Sequence, residues 1–134
     1  GPGMGLRAKV VQNMVGAGIY QAFSEGLVLA NAAGVKPELM IDILENSAAK
    51  SGLASYKAPF VLNRDWTTNF SAKWMCKDVG FALQMARDLN VPAPASSVTE
   101  NMLRATVAKG WGDDDFCSAI RVLEDWTGTV IKKS

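Results

Sequence analysis

The sequence predicts an all-α domain of six helices built around a long, buried first helix, and three observations carry that reading. No segment shows strand-like alternation of any length, apolar residues recur at helical spacing, and Gly, Pro and Asn fall between the periodic stretches at short intervals. The first helix spans about Leu6 to Ala33 and stops at Gly34. From Met14 to Ala33 it is apolar nearly all round, so it is expected to run through the middle of the fold or into a partner subunit. Gln21, Ser24, Glu25 and Asn31 interrupt that stretch, which argues against a bilayer span, and no signal peptide is visible. Lys36-Pro37-Glu38 opens the second helix, with proline at a tolerated early position and Leu39, Met40, Ile43 and Leu44 on one side. The stretch from Asn46 to Gly52 breaks it. A third helix covers roughly Leu53 to Leu62, and the polar run from Asn63 to Asn69 has the chemistry of a turn. The fourth enters at Phe70, continues to Leu89 and ends at Asn90, ahead of Val91-Pro92-Ala93-Pro94. The fifth spans about Ser97 to Lys109 and is ended by Gly110-Trp111-Gly112. Asp113-Asp114-Asp115 then supplies a cap and favourable charge for a sixth helix, from Phe116 to about Trp126. The expected organisation is a hinge or tag remnant over residues 1–5, one helical domain over 6–128, and a frayed basic tail over 129–134. Gly1-Pro2 fits either a cleavage remnant or native hinge sequence.

Composition narrows the function classes. With 134 residues, 49% hydrophobic and 20% charged, the chain suits one compact domain with a sizeable core. A net charge of +1, with lysines and acids interspersed, gives no footprint for nucleic acid. Histidine is absent, which excludes Ser-His-Asp and Cys-His catalysis and the usual histidine-containing zinc sites, and no metal-ligand cluster stands out. Proton transfer near neutral pH is left to lysine, carboxylates or tyrosine. Cys76 and Cys117 read as reduced thiols in the core of a cytoplasmic protein.

The stretch from Gly3 to Asn13 places Lys9 and Asn13 one helical turn apart, on one face, behind a pair of glycines. A lysine can shuttle a proton, and a neighbouring amide can grip a carboxylate or hydroxyl and hold the reacting group beside it. That pairing suits acid/base chemistry on a small oxyacid. On the fourth helix, Phe70, Lys73, Trp74 and Lys77 recur at helical spacing with Asp78 alongside, and could wall a second side of the same site. For Lys73 and Trp74 the plainer expectation is a solvated ammonium and a core ring. Were Lys77 to stand near Lys9, the two like charges would disfavour double protonation.

These residues carry a resemblance. Gly3, Gly5, Lys9 and Asn13 match the glycine-x-glycine, lysine, asparagine motif of the β-hydroxyacid dehydrogenases, which include 3-hydroxyisobutyrate dehydrogenase, tartronate semialdehyde reductase and the glyoxylate/succinic semialdehyde reductases. Almost the whole chain resembles the C-terminal domain of that family, the helical half of a 6-phosphogluconate-dehydrogenase-like two-domain enzyme. The stretch from Ala22 to Ala30 is similar to the glyoxylate/succinic semialdehyde branch, and that from Lys57 to Asp65 to the tartronate semialdehyde branch. Phe70 and the pair Lys77-Asp78 match the family's signature on the helix lining the cofactor cleft, and Asp115-Phe116 matches the start of its last helix. Gln12 departs from the pattern, where many members carry asparagine.

The resemblance implies a catalytic lysine at Lys9, a substrate-binding amide at Asn13, and cofactor contacts from Phe70, Lys77 and Asp78. As a carbonyl oxygen gains negative charge during reduction, a protonated lysine stabilises it and delivers the proton. NAD or NADP would be bound mainly by an N-terminal domain whose glycine-rich fingerprint and βαβ unit this sequence lacks, so the fragment alone is expected to be inactive. The implied partners are a small hydroxy acid or aldehyde acid and a second copy of the chain, as a homodimer or higher oligomer, with no nucleic acid, membrane or metal. The competing expectation is a helical interaction or scaffold module of the same shape without a catalytic site.

Overall fold

The computed structural model describes residues 3–134. Its elements run α1 (Met4–Ala32), α2 (Pro37–Glu45), α3 (Gly52–Leu62), α4 (Ala72–Asp88), α5 (Pro94–Thr106) and α6 (Ile120–Thr127). A wider π-turn over Val107–Trp111 extends α5, and a 3-10 turn over Phe116–Ala119 leads into α6. Among the described residues no strand forms, and a single antiparallel bridge joins Ser71 to Asp115. The six-helix, all-α class is therefore what the chain adopts.

Helix α1 touches each of the other five helices. Its C-terminal two-thirds supply Ala17, Tyr20, Phe23, Leu27 and Val28 to a core completed by Val61, Val79, Leu83, Phe116, Ile120 and Ile131. The expectation of a helix buried nearly all round is not met: α1 keeps one face open along its length, out to Leu29 at 71% exposed. Met4, Leu6, Val11, Val15 and Ile19 stay exposed because the other helices pack against the opposite side of α1, where Val10, Ala17 and Leu27 are buried. Tyr20 is fully enclosed, packs edge-on against the Phe116 ring, and donates its hydroxyl to the Cys117 carbonyl at 2.5 Å. Burial foremost, with help from the charges of Cys117 and Asp115, pushes its phenol well above the ordinary tyrosine value.

Local chemistry shifts several boundaries. α4 begins at Ala72 rather than Phe70, because the Ser71 hydroxyl accepts the Trp74 N–H while the Phe70 N–H is taken by Asp115. Proline at its first position opens α5 at Pro94, three residues before the predicted start. Gly110, at φ 89°, closes the π-turn in a conformation that side chains resist. Ser51 caps α3 by accepting the Ala54 N–H at 2.9 Å, and Asp115 caps the turn before α6 by accepting the Cys117 N–H at 3.0 Å. Gly3 is the N-cap of α1, and Met4 and Gly5 lie within that helix, which narrows the predicted hinge; Gly1 and Pro2 fall outside the described residues.

The tail read as frayed is held down. Ile131 is fully buried, its N–H donates to Glu124 and its carbonyl accepts from Arg64, while the Lys133 N–H reaches the Leu62 carbonyl. Ser134 donates to Glu38 from both its backbone N–H and its hydroxyl, and that hydroxyl foremost lowers the Glu38 carboxyl below its usual range.

At Gly80, inside α4, an added Cβ would meet only the end of the flexible Glu100 side chain, at 3.0 Å. Gly80→Ala is therefore expected to stabilise the chain by about 0.5 kcal/mol through helix propensity, with Glu100 turning aside. Urea denaturation would check this; a loss of stability would show that Glu100 is held fast.

Candidate active site

Asn13 is half-buried on α1 and points across to α4, where its Nδ2 donates to Asp78 Oδ2 at 2.8 Å. A carboxylate accepts only, so this bond fixes which way the amide faces and leaves its oxygen and second N–H for another partner. Lys9 lies one turn nearer the start of α1, on the same face and exposed to solvent. Two of the expected site residues thus meet directly, with the lysine beside them. Because Asp78 is engaged with Asn13, the first thing its carboxylate does in this chain is orient an amide.

Lys77, next in sequence, is turned by about 100° around the helix. Its ammonium lies 4.9 Å from the Trp74 ring centroid and 5.9 Å from that of Phe81, and it lines a groove between α4 and α5 with Gly80, Gln84 and Glu100. Lys73 lines the same groove and forms an ion pair with Asp113 at 2.6 Å. Trp74, expected in the core, is 50% exposed because the packed face of α4 is the one carrying Met75, Val79 and Leu83. Phe70 precedes α4 and packs partly buried against the core, its backbone N–H donating to Asp115 Oδ1 at 3.0 Å. Of the four residues predicted to face one place, Lys73 and Lys77 line one groove and Trp74 lies beside the Lys77 ammonium, while Phe70 packs on the core.

Both cysteines are free, but Cys76 is only half-buried at the α4–α5 groove, whereas Cys117 is enclosed. Burial raises both thiols above the ordinary cysteine value, Cys117 very strongly, so neither is a ready nucleophile.

Sequence reasoning missed a buried ion pair. Lys57 on α3 meets Asp115 at 2.9 Å, with the two side chains 2% and 1% exposed. Its signal was the pattern Ala54, Lys57, Ala58, Val61, which puts the lysine on the buried face of a helix. Among the described residues no group of three or more histidine, cysteine or acidic side chains is arranged to hold a metal, and no helix is long and apolar enough to cross a membrane.

The fold is similar to that of 3-hydroxyisobutyrate dehydrogenase from Mycobacterium tuberculosis with L-serine, at TM-score 0.79 and 28% identity over 87% of this chain and 42% of that one. It is similar also to the fold of the 3-hydroxyisobutyrate dehydrogenase of Salmonella typhimurium, at TM-score 0.82 and 24% identity over 86% of this chain and 40% of that one. The class is thus that of the helical domain of two-domain NAD(P)-dependent hydroxyacid dehydrogenases. Residues 3–123 match the family described as NAD-binding of NADP-dependent 3-hydroxyisobutyrate dehydrogenase, and the chain belongs to that family. Among curated relatives, 2-(hydroxymethyl)glutarate dehydrogenase of Eubacterium barkeri is 29% identical over 96% of this chain and 43% of its own length. Glyoxylate/succinic semialdehyde reductase 1 of Arabidopsis thaliana is 29% identical over 91% of this chain and 42% of its own. The chain therefore spans about two-fifths of the length of the relatives it matches.

Proposed function

We propose that this chain is the C-terminal, substrate-binding and dimerisation domain of an NAD(P)-dependent β-hydroxyacid dehydrogenase or semialdehyde reductase, with Lys9 as general acid/base. The observation that carries the proposal is the Asn13–Asp78 bond set one turn from an exposed lysine. Asn13, oriented by Asp78, binds the carboxylate or hydroxyl of a small acid through its free amide atoms. Lys9 donates a proton to the carbonyl oxygen when an aldehyde acid is reduced and removes it when a hydroxy acid is oxidised.

The exposed groups of α4 suit a nicotinamide cofactor. A half-exposed indole with an ammonium over it suits the edge of a flat, anionic dinucleotide: Trp74 and Phe81 offer ring faces and Lys77 a cation for phosphate or carboxamide oxygens. The residues fit, with Lys77 as the contact, Phe70 shaping the approach from the core side and Asp78 acting through Asn13. When bound, the nicotinamide supplies or accepts the hydride. Most of the dinucleotide is assigned to a further, nucleotide-binding domain, since among the described residues no strand exists to present a glycine-rich turn. On that ground the chain alone is inactive.

The stripe Met4, Val11, Val15 and Ile19, exposed at helical spacing along α1, supports a homodimer, and the two free cysteines support a cytoplasmic enzyme. Assaying the full-length enzyme on a panel of small hydroxy acids and semialdehydes with NAD and NADP tests the proposal. Turnover of at least one pair is expected; inactivity on all of them overturns it. Asp78→Ala in that enzyme is expected to raise KM for the acid substrate about tenfold, as an amide released from its acceptor loses its orientation. An unchanged KM would show that Asn13 needs no such support.

A further inference from the structure

Lys57 and Asp115 bury a full ion pair in a small domain. The Lys57 ammonium is ringed by Tyr56, Phe60 and Phe116, at 5.0, 5.3 and 4.9 Å from the ring centroids. The Asp115 carboxylate serves four donors: Asn69 N–H and Phe70 N–H on Oδ1, each at 3.0 Å, and Cys117 N–H at 3.0 Å with the Lys57 ammonium at 2.9 Å on Oδ2. The backbone around it is stitched the same way, with Phe116 N–H to the Phe70 carbonyl, Asp115 N–H to the Trp66 carbonyl and Ala72 N–H to the Asp114 carbonyl.

Stability is a weak reason for such a pair, because two desolvated charges often hold a fold no better than apolar side chains of the same volume. What the pair adds is direction. One carboxylate, anchored from α3 by an ammonium, fixes the two N–H groups that set where Phe70 stands and where α4 begins, and α4 carries Lys77 and Asp78. We propose that Lys57 and Asp115 are positioning residues for the active site, holding Phe70 and the first turn of α4 in register with α1. The proposal rests on the dehydrogenase reading above. Burial alone would raise the Asp115 carboxyl; the N–H groups of Cys117 and Phe70 and the Lys57 ammonium outweigh it and hold the carboxyl below its usual range. The other titratable groups in its surroundings are Tyr20 from α1, Asp65 from the loop after α3, and Cys117 in its own turn.

The test uses the full-length enzyme with Lys57→Met and the double variant Lys57→Met/Asp115→Asn, each assayed per folded molecule across pH, together with hydrogen exchange of the peptide over residues 66–74. Lys57→Met is expected to lose about tenfold or more in kcat/KM at neutral pH, as small misplacements of site groups do. In the wild type, the ionised carboxylate and its bonds are present above the lowered pKa and lost as pH falls through it. Without the ammonium that loss moves to higher pH, so the defect deepens on acidification. The double variant leaves no stranded buried charge, so it regains stability over the single one. It stays impaired with no acid limb of its own, because an amide offers one acceptor oxygen where the carboxylate offered two. Faster exchange at Asn69 and Phe70 is expected in both. If either variant, per folded molecule, matches the wild type in kcat/KM, pH profile and exchange, the pair is merely structural and the proposal falls. If the wild-type enzyme turns over none of the acids, the dehydrogenase reading fails, and the exchange at Asn69 and Phe70 alone decides whether the pair positions the segment.

Discussion

Replacing Lys9 by alanine in the full-length enzyme is expected to lower kcat by about 10²–10⁴-fold, the range contributed by a positioned general acid or base. KM should change little, because Asn13 and its Asp78 partner remain. Lys9 is exposed on an intact helix and alanine is a good helix former, so thermal stability should stay within about 0.5 kcal/mol of the wild type. Loss of turnover with unchanged melting therefore isolates chemistry from folding. Near-normal turnover in Lys9→Ala removes the acid/base assignment and returns the chain to the class of helical modules with a shared shape.

The second large effect concerns the clasp at the end of the chain. Arg64 grips both oxygens of Glu124, at 2.8 and 2.9 Å, and the Ile131 carbonyl at 2.8 Å, while Glu124 accepts the Ile131 N–H at 2.6 Å. Glu124 is 5% exposed. Arg64→Met strands that carboxylate without its cation, and the expected cost is about 3 kcal/mol, the scale for breaking a buried pair from one side. Urea denaturation measures it, and hydrogen exchange over residues 129–134 should rise in parallel. A cost below about 1 kcal/mol would show that the apolar seat of Ile131 alone keeps the tail in place.

The helices were legible because their signals are local. Gly34, Pro37 and Asn90 each act within a turn of where they stand, and the predicted breaks fall close to the observed ones. The Lys9–Asn13 spacing was legible for the same reason. What the sequence concealed is what distant segments do to one another. Nothing near Lys57 announces Asp115 across the fold, and nothing in the last residues announces that Arg64 will close over Ile131. Trp74 was misplaced by its residue type: large rings favour the core in general, but the face of α4 chosen for burial belongs to Met75 and Val79. Asp78 was assigned to the cofactor by likeness, and only the packing of α1 on α4 presents Asn13 as its immediate neighbour.

The 29 residues of α1 make a rod about 43 Å long, moored in the core from Ala17 onward and strapped to α4 nearer its start by the Asn13–Asp78 bond. Such a beam transmits tilt from its moored part to its start. Lys9 and Asn13 accordingly travel as one piece, and a repacking around Leu27 would re-aim the lysine without touching it.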